Sequence, residues 1–581
     1  MWKVLLAVFA VLYVAVLELG KHTLLGWGLF ILVLAGYIYL RGTRFPQPSF
    51  GLRLGMTLGL LISCALILLV SWPPVRAVAA VEGSSKETAV IHTNVGDLSG
   101  VYTADEKVEV FAGIPYAKPP VGELRWKKPV PYGGWEGVLK ADHFAPMSMQ
   151  TQNLPIIDSL TRIIGYHDYK ISLKDNYRTP ASEDSLYLNI WKPAGEKKNL
   201  PVLVYIHGGS LQTGQPWYAD YSGEGLARQD IIVVNMGYRL GIFGFYADEQ
   251  LLKEEGTTGN YGLLDQICAL QWVKDNIEAF GGDPGNITVS GESAGSACVT
   301  ALCTSSLAQG LFDKVIAESS TVTAETPAHS YRSLERALRA GEETRRIYNV
   351  SSVEELRALP AEKIVGELNS HHHITVDGYV LTEDPWESYE KGVHNETVRL
   401  HGFNRQEAAP FILFDRVSLK NYEEHVLRML GEEKGRKALA LYPATSDSEA
   451  RKNWADIYSV YFFTYGHYCW DRQGQQNGLT SYEYLFAREN GRLGSWHSGE
   501  EVYFYGNIPE DSKLYDETDR ELGRIMTQYF ANFIRTGDPN GEGLPHWQAN
   551  TGYQGRVMLL DSQVKMANDP FHALCQILEG K

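Results

Sequence analysis

The sequence predicts an α/β protein, a mostly parallel sheet with helices on both faces, preceded by two to three transmembrane helices. Three observations carry this. Short β-branched runs alternate with longer helical periodicities between positions 201 and 303. Apolar, nearly uncharged runs fill the first 72 positions. Beyond them no second composition shift divides the chain, and apolar content of 44% suffices for one large core.

The N-terminal runs come first. Thr23–Leu40 and Leu54–Trp72 carry no charged residue and are long enough to cross a hydrocarbon core of roughly 30 Å. Val4–Leu17 is apolar apart from one Tyr but short for a span. Arg41, Arg44 and Arg53 lie between the second and third runs. Positive loops stay cytoplasmic, so the chain after Trp72 is expected on the outer side of a cell membrane. A signal sequence cut near Ala77-Val78-Ala79 is the competing reading of Leu54–Trp72, and the two preceding runs disfavour it. Residues 73–87 read as a linker, and about 88–578 as one mixed α/β domain.

Within that domain, Pro201–Ile206 is an apolar β-branched run that stops at His207-Gly208-Gly209-Ser210. Ile231–Asn235 and Ile287–Ser290 are two more such runs. Leu263–Phe280 has apolar residues at helical spacing and ends at Gly281-Gly282. Ala294–Cys303 is small and apolar, as a buried helix would be.

Ser293 sits between the third strand and this last helix, in G-E-S-A-G. In a chain this long, ~0.4 chance matches to G-x-S-x-G are expected, so the motif alone decides little. Its setting decides more: a serine at a tight strand-to-helix turn is exposed for attack, and the helix N-terminus favours developing negative charge. Attack on an acyl carbon also needs oxyanion donors. Gly208 and Gly209 follow a strand and can present bare N–H groups, with Ala294 N–H as a third. The base and its orienting acid are expected later in the chain. Eight histidines separate Ser293 from His497, so position does not select among them. Asp377 and Glu407 compete evenly for the acid.

Together these stretches resemble the type-B carboxylesterase and cholinesterase family, in its bacterial para-nitrobenzyl-esterase-like form. "FAGIPYAKPPVGELRW" (111–126), "SEDSLYLNIWKP" (182–193), "VNMGYRLGIFGF" (234–245), the block at 259–296 and "FIRTGDPN" (533–540) match in order. The resemblance implies an α/β-hydrolase fold and a serine hydrolase cleaving carboxylic esters through an acyl-enzyme. It implies Ser293 as nucleophile, Glu407 as acid from "GFNRQEAAPF", His497 as base from "GSWHSGEEVYFYG", and Gly208, Gly209 and Ala294 as the oxyanion hole. It implies a small-molecule ester as substrate, and neither cofactor nor metal. Ser185 stands where the family often has a bridged cysteine, and "HGGS" replaces a commoner form of the oxyanion loop. A non-catalytic cholinesterase-like adhesion domain and an interfacial lipase are the alternatives.

The net charge of −16, with no long basic run, excludes nucleic acid as an expected partner. The lipid bilayer is the expected partner of the N-terminal helices. Trp217, Tyr218 and Tyr221 follow the oxyanion loop, as pocket lining or packing. His371-His372-His373 could bind a metal, but three adjacent side chains rarely converge on one ion, so no metal site is expected there.

Overall fold

The structure is a computed structural model that describes residues 2–76, 80–81, 86–164, 176–366, 372–490, 493–550 and 555–580. Positions 77–79 and 82–85 of the expected linker, and His371, lie outside the described residues.

The chain forms two compact units, Met1–Val78 with Gln152–Pro180, and Ala79–Thr151 with Ala181–Lys581. The described residues 152–164 and 176–180 fall inside the region that the sequence reads as hydrolase, yet they belong to the unit of the N-terminal helices.

The first unit holds α1 (Trp2–Leu19), α2 (Leu24–Tyr39), α3 (Phe50–Val70) and α4 (Pro155–Ile164). The first and third, and the second with its π-helical extension to Arg44, are each long and apolar enough to cross a membrane. The run at Val4–Leu17 thus extends to 18 helical residues, because Trp2, Lys3, Glu18 and Leu19 join the helix. At one end of the bundle Thr23 N–H donates to Ser71 O at 2.9 Å. At the other, the Arg41 guanidinium lies 5.1 Å from the Trp2 ring centroid.

The second unit is built on an eleven-stranded sheet. Its strands are β1 (Val101–Tyr102), β2 (Val108–Pro115), β3 (Tyr187–Pro193), β4 (Leu200–Ile206), β5 (Ile232–Met236), β6 (Gly282–Glu292), β7 (Lys314–Glu318), β8 (Val398–Asn404), β9 (Thr480–Phe486), β10 (Arg556–Leu560) and β11 (Lys565–Asn568). Their order is β11-β10-β9-β8-β7-β6-β4-β5-β3-β2-β1. From β10 to β5 every neighbouring pair is parallel, and the flanking pairs are antiparallel. Strands β4 and β5 are buried along their whole length, as strands covered on both faces must be. The expected helices appear as α5 (Tyr261–Asn276), continued by a 3-10 turn to Phe280, and α6 (Ala294–Thr304).

A parallel sheet points the ends of its strands to one edge. Glu292 ends β6, Asn404 ends β8, and the His207-Gly208-Gly209-Ser210 loop follows Ile206 at the end of β4. Residues far apart in the chain therefore reach the same edge, as is usual for sites in α/β sheets.

Candidate active site

Ser293 has φ 54° and ψ −122°, between the end of β6 and the start of α6. A non-glycine residue pays about 1–3 kcal/mol for such a conformation. The surroundings hold it there: Ser293 N–H donates to Glu318 O at 2.9 Å, and Ala297 N–H donates to Ser293 O at 3.0 Å. The flanking glycines permit the turn. A Cβ on Gly291 would lie 2.4 Å from Gly295 C, and one on Gly295 would lie 2.0 Å from Ile206 O.

The 207–210 loop, which carries the expected oxyanion donors, abuts this elbow, since a Cβ on Gly208 would lie 3.1 Å from Ser293 Cβ. The N–H groups of Gly208, Gly209 and Ala294 enter no hydrogen bond among the described residues. The loop is fixed from behind. His207 Nδ1–H donates to Gly208 O at 2.9 Å, and Tyr238 OH donates to His207 O at 2.8 Å. Burial pushes the His207 imidazole down to about 4, so it is neutral at physiological pH.

His497 lies on the loop that follows β9, and Glu407 on the loop that follows β8. His497 Nδ1 is 2.7 Å from Glu407 Oε2, and Asn404 N–H donates to Glu407 Oε1 at 2.7 Å. Glu407 is fully buried, which pushes its carboxyl up to about 8 against the pull of the Asn404 N–H. Asp377, the rival acid, sits elsewhere: its Oδ1 accepts from Tyr379, Val380 and Leu381 N–H at 3.2, 2.9 and 3.0 Å, and Thr257 bonds its other oxygen. It caps a turn.

His497 Nε2 is buried and has no hydrogen-bond partner. It lies 3.2 Å from Glu292 Oε1, close enough for ionic attraction but out of line for a hydrogen bond. Ser498 Oγ donates to the same Glu292 oxygen at 2.6 Å. The residue after His497 is thereby tied to the residue before Ser293. Phe411 and Phe463 flank the imidazole, with ring centroids 5.2 and 4.7 Å away.

Sequence reasoning missed Glu292, Ser498, Phe411 and Phe463. Glu292 had a signal, a carboxylate directly beside the serine in G-E-S-A-G. It also missed a buried carboxyl group behind the site. Glu500 accepts from Ser319 Oγ at 2.6 Å and from Asn404, and Ser290 Oγ donates to Glu318 at 3.1 Å. Burial pushes Glu292 and Glu500 up to about 7, with neighbouring carboxylates adding to the rise, and holds Glu318 well above the ordinary carboxyl value. Tyr221 is packing: its OH donates to Gln215 O at 2.6 Å and its ring lies 4.7 Å from that of Tyr205. All six cysteines are free thiols. Among the described residues no group of three or more His, Cys, Asp or Glu could hold a metal ion.

A sequence profile of the carboxylesterase family matches residues 87–578. Among curated proteins, the chain is 31% identical over 497 residues to the para-nitrobenzyl esterase of Bacillus subtilis, covering 83% of this chain and 96% of that one. It is 32% identical over 509 residues to the medium-chain fatty acyl-CoA hydrolase precursor of Anas platyrhynchos, covering 80% and 87%. Among solved structures, a carboxylesterase of Geobacillus stearothermophilus superposes with a TM-score of 0.71 at 30% identity, covering 84% of this chain and 100% of that one.

Proposed function

This chain belongs to the carboxylesterase family and is a carboxylic ester hydrolase, and from that premise we propose that it works through a Ser293–His497–Glu407 triad and an acyl-enzyme. One observation carries the proposal. His497 holds Glu407 with Nδ1 and leaves Nε2 buried, unpartnered and tied to the serine elbow through Ser498 and Glu292.

Glu407 accepts a hydrogen bond from Nδ1–H, so the proton stays on Nδ1 and the lone pair sits on Nε2. Ser293 Oγ attacks the ester carbonyl carbon as Nε2 takes its proton. The carbonyl oxygen becomes an oxyanion, received by the N–H groups of Gly208, Gly209 and Ala294. The imidazolium is stabilised by Glu407 at Nδ1, with the Glu292 carboxyl 3.2 Å from Nε2. Collapse breaks the bond to the alkoxide oxygen, which takes the Nε2 proton and leaves as the alcohol. Water then attacks the acyl-enzyme, giving its proton to Nε2. The second collapse releases the acid and returns the proton to Ser293 Oγ.

The filled triad favours catalysis over a binding role. Ser293→Ala is expected to lower kcat for a p-nitrophenyl ester by about 10⁶, in line with other serine triads. Hydrolysis at the parent rate would refute the mechanism.

The same proposal places the hydrolase on the outer side of a membrane, tethered by α1, α2 and α3. Large apolar residues such as Leu12, Leu32 and Ile62 are exposed on these helices, as lipid-facing residues would be. Arg41 and Arg44 lie in the π-helical turn that follows α2, and Arg53 in the first turn of α3, at the same end of these helices. Protease added to intact cells should remove the hydrolase but spare the spans; full protection would reverse this orientation.

A further inference from the structure

We propose that α4, together with residues 176–178, forms a membrane-interface element, with α4 lying along the outer lipid–water boundary and its exposed apolar stripe in the lipid. This rests on the reading that α1 to α3 span a membrane.

The first observation is where the segment attaches. Ser159 Oγ donates to Leu19 O, at the end of α1, at 2.9 Å. Asn176 Nδ2 donates to His22 O, between α1 and α2, at 2.8 Å. Arg178 Nε donates to Pro73 O at 3.2 Å, and its backbone pairs with Pro74 and Arg76 just beyond α3. All three attachments lie at the end of the bundle opposite Arg41, Arg44 and Arg53. In the proposed topology that end is the outer one.

The second observation is the pattern of α4, which has three sides. Pro155 and Ser159, one turn apart, are buried against α1. Asp158, Thr161 and Arg162 are exposed and polar. Between these sides run Ile157 and Leu160, 44% and 39% exposed, with Ile164 a turn further on and Leu154, 55% exposed, just before the helix. A helix of 10 residues with an apolar stripe left open beside a span fits the acyl–headgroup boundary, with its polar side to water.

The third observation is the residue chemistry at the same level. The Arg178 guanidinium lies 6.0 Å from the Trp72 ring centroid, and that of Arg76 lies 5.9 Å from Tyr177. Tryptophan and tyrosine rings gather at bilayer interfaces, and arginine reaches from there to headgroups. The occupant of the open stripe is therefore the outer leaflet itself. The hydrolase region of the chain enters and leaves this element at 152 and 180, so the bilayer holds it through an internal excursion as well as through its N-terminus.

The test places a nitroxide at single cysteines in the full chain carrying Cys268→Ser and Cys469→Ser, reconstituted in phosphatidylcholine–phosphatidylglycerol vesicles. Ile157→Cys and Leu160→Cys should relax faster with oxygen than with a water-soluble nickel chelate, and Asp158→Cys and Arg162→Cys the reverse, each difference several-fold. Equal accessibility at all four positions, to water or to neither agent, overturns the proposal. Ile62→Cys, in α3, separates the two readings: nickel access there overturns the membrane tether itself, whereas lipid access there with water at 157 and 160 overturns only the interfacial helix. Hydrolysis of a soluble p-nitrophenyl ester checks that each labelled chain is folded. As a label-free measurement, the Ile157→Asp/Leu160→Asp double variant should raise amide exchange over 155–164 in vesicles several-fold, and unchanged exchange counts against the proposal.

Discussion

Ser498 Oγ donates a 2.6 Å hydrogen bond to Glu292 Oε1, so the neighbours of the proposed base and nucleophile are bonded across 206 positions of chain. Ser498 adopts φ 71°, a left-handed conformation uncommon for serine. The bond and the backbone together set where His497 stands. Ser498→Ala removes a hydrogen bond to an acidic group, worth about 1.5–3 kcal/mol when that group is charged, and is expected to lower kcat by about 10- to 100-fold. KM should move little, because the substrate does not touch this bond. Steady-state kinetics with a p-nitrophenyl ester checks the split.

Glu407→Gln keeps the shape of the acid and removes its charge. The imidazolium formed during attack then loses its buried counter-charge, and an amide N–H can force the wrong tautomer. kcat is expected to fall by about 10⁴, as for the equivalent change in other triads. Asp377→Asn, which alters a turn cap, is expected to leave kcat within an order of magnitude and to lower thermal stability instead.

The pH dependences of activity and stability should run in opposite directions. The proposed base must hold a free lone pair to take the Ser293 proton, so kcat/KM is expected to fall as pH is lowered. Glu292 and Glu500 are raised to about 7 and Glu407 to about 8 in the fold, all above the ordinary carboxyl value. A group raised on folding contributes stability that is present in full below its unfolded pKa and lost as pH climbs through its folded one. Thermal stability is therefore expected to decline between pH 5 and 9 as these carboxyls ionise in their buried site. Glu500→Gln, which cannot ionise, should flatten that decline in thermal melts.

Phe411 and Phe463 wall the imidazole and stand 5.2 Å apart, ring to ring. Phe411 is also exposed, which leaves one side of this wall open to an incoming ester. Phe411→Ala should shift kcat/KM between bulky and small esters by about 10- to 100-fold, the discrimination that a few apolar groups in a pocket supply. A panel of acyl and alcohol sizes measures it, and an unchanged ranking would remove Phe411 from the pocket.

The legible parts of the fold were local. Strands β4, β5 and β6 and helices α5 and α6 carry their periodicity in the chain itself, and Gly291 and Gly295 mark the crowded turn at Ser293. The acid was not legible from spacing. Asp377 and Glu407 both follow short apolar runs; the resemblance favours Glu407, and the structure sets turn amides around Asp377 and His497 beside Glu407. Ser498 to Glu292 is a contact between distant positions with no periodic trace. The attachment of α4 and of 176–178 to the N-terminal unit was hidden for the same reason: Leu19, His22 and Pro73 become the partners of Ser159, Asn176 and Arg178 only in three dimensions.

The central claim is that Ser293 is the residue that becomes acylated. Reaction of the full-length protein with a fluorophosphonate, followed by peptide mass spectrometry, tests it most directly. The expected result is one adduct per chain on Ser293, loss of ester hydrolysis in step with labelling, and no labelling once His497 is replaced by alanine. An adduct on another residue, or full hydrolysis by a chain modified at Ser293, would contradict it.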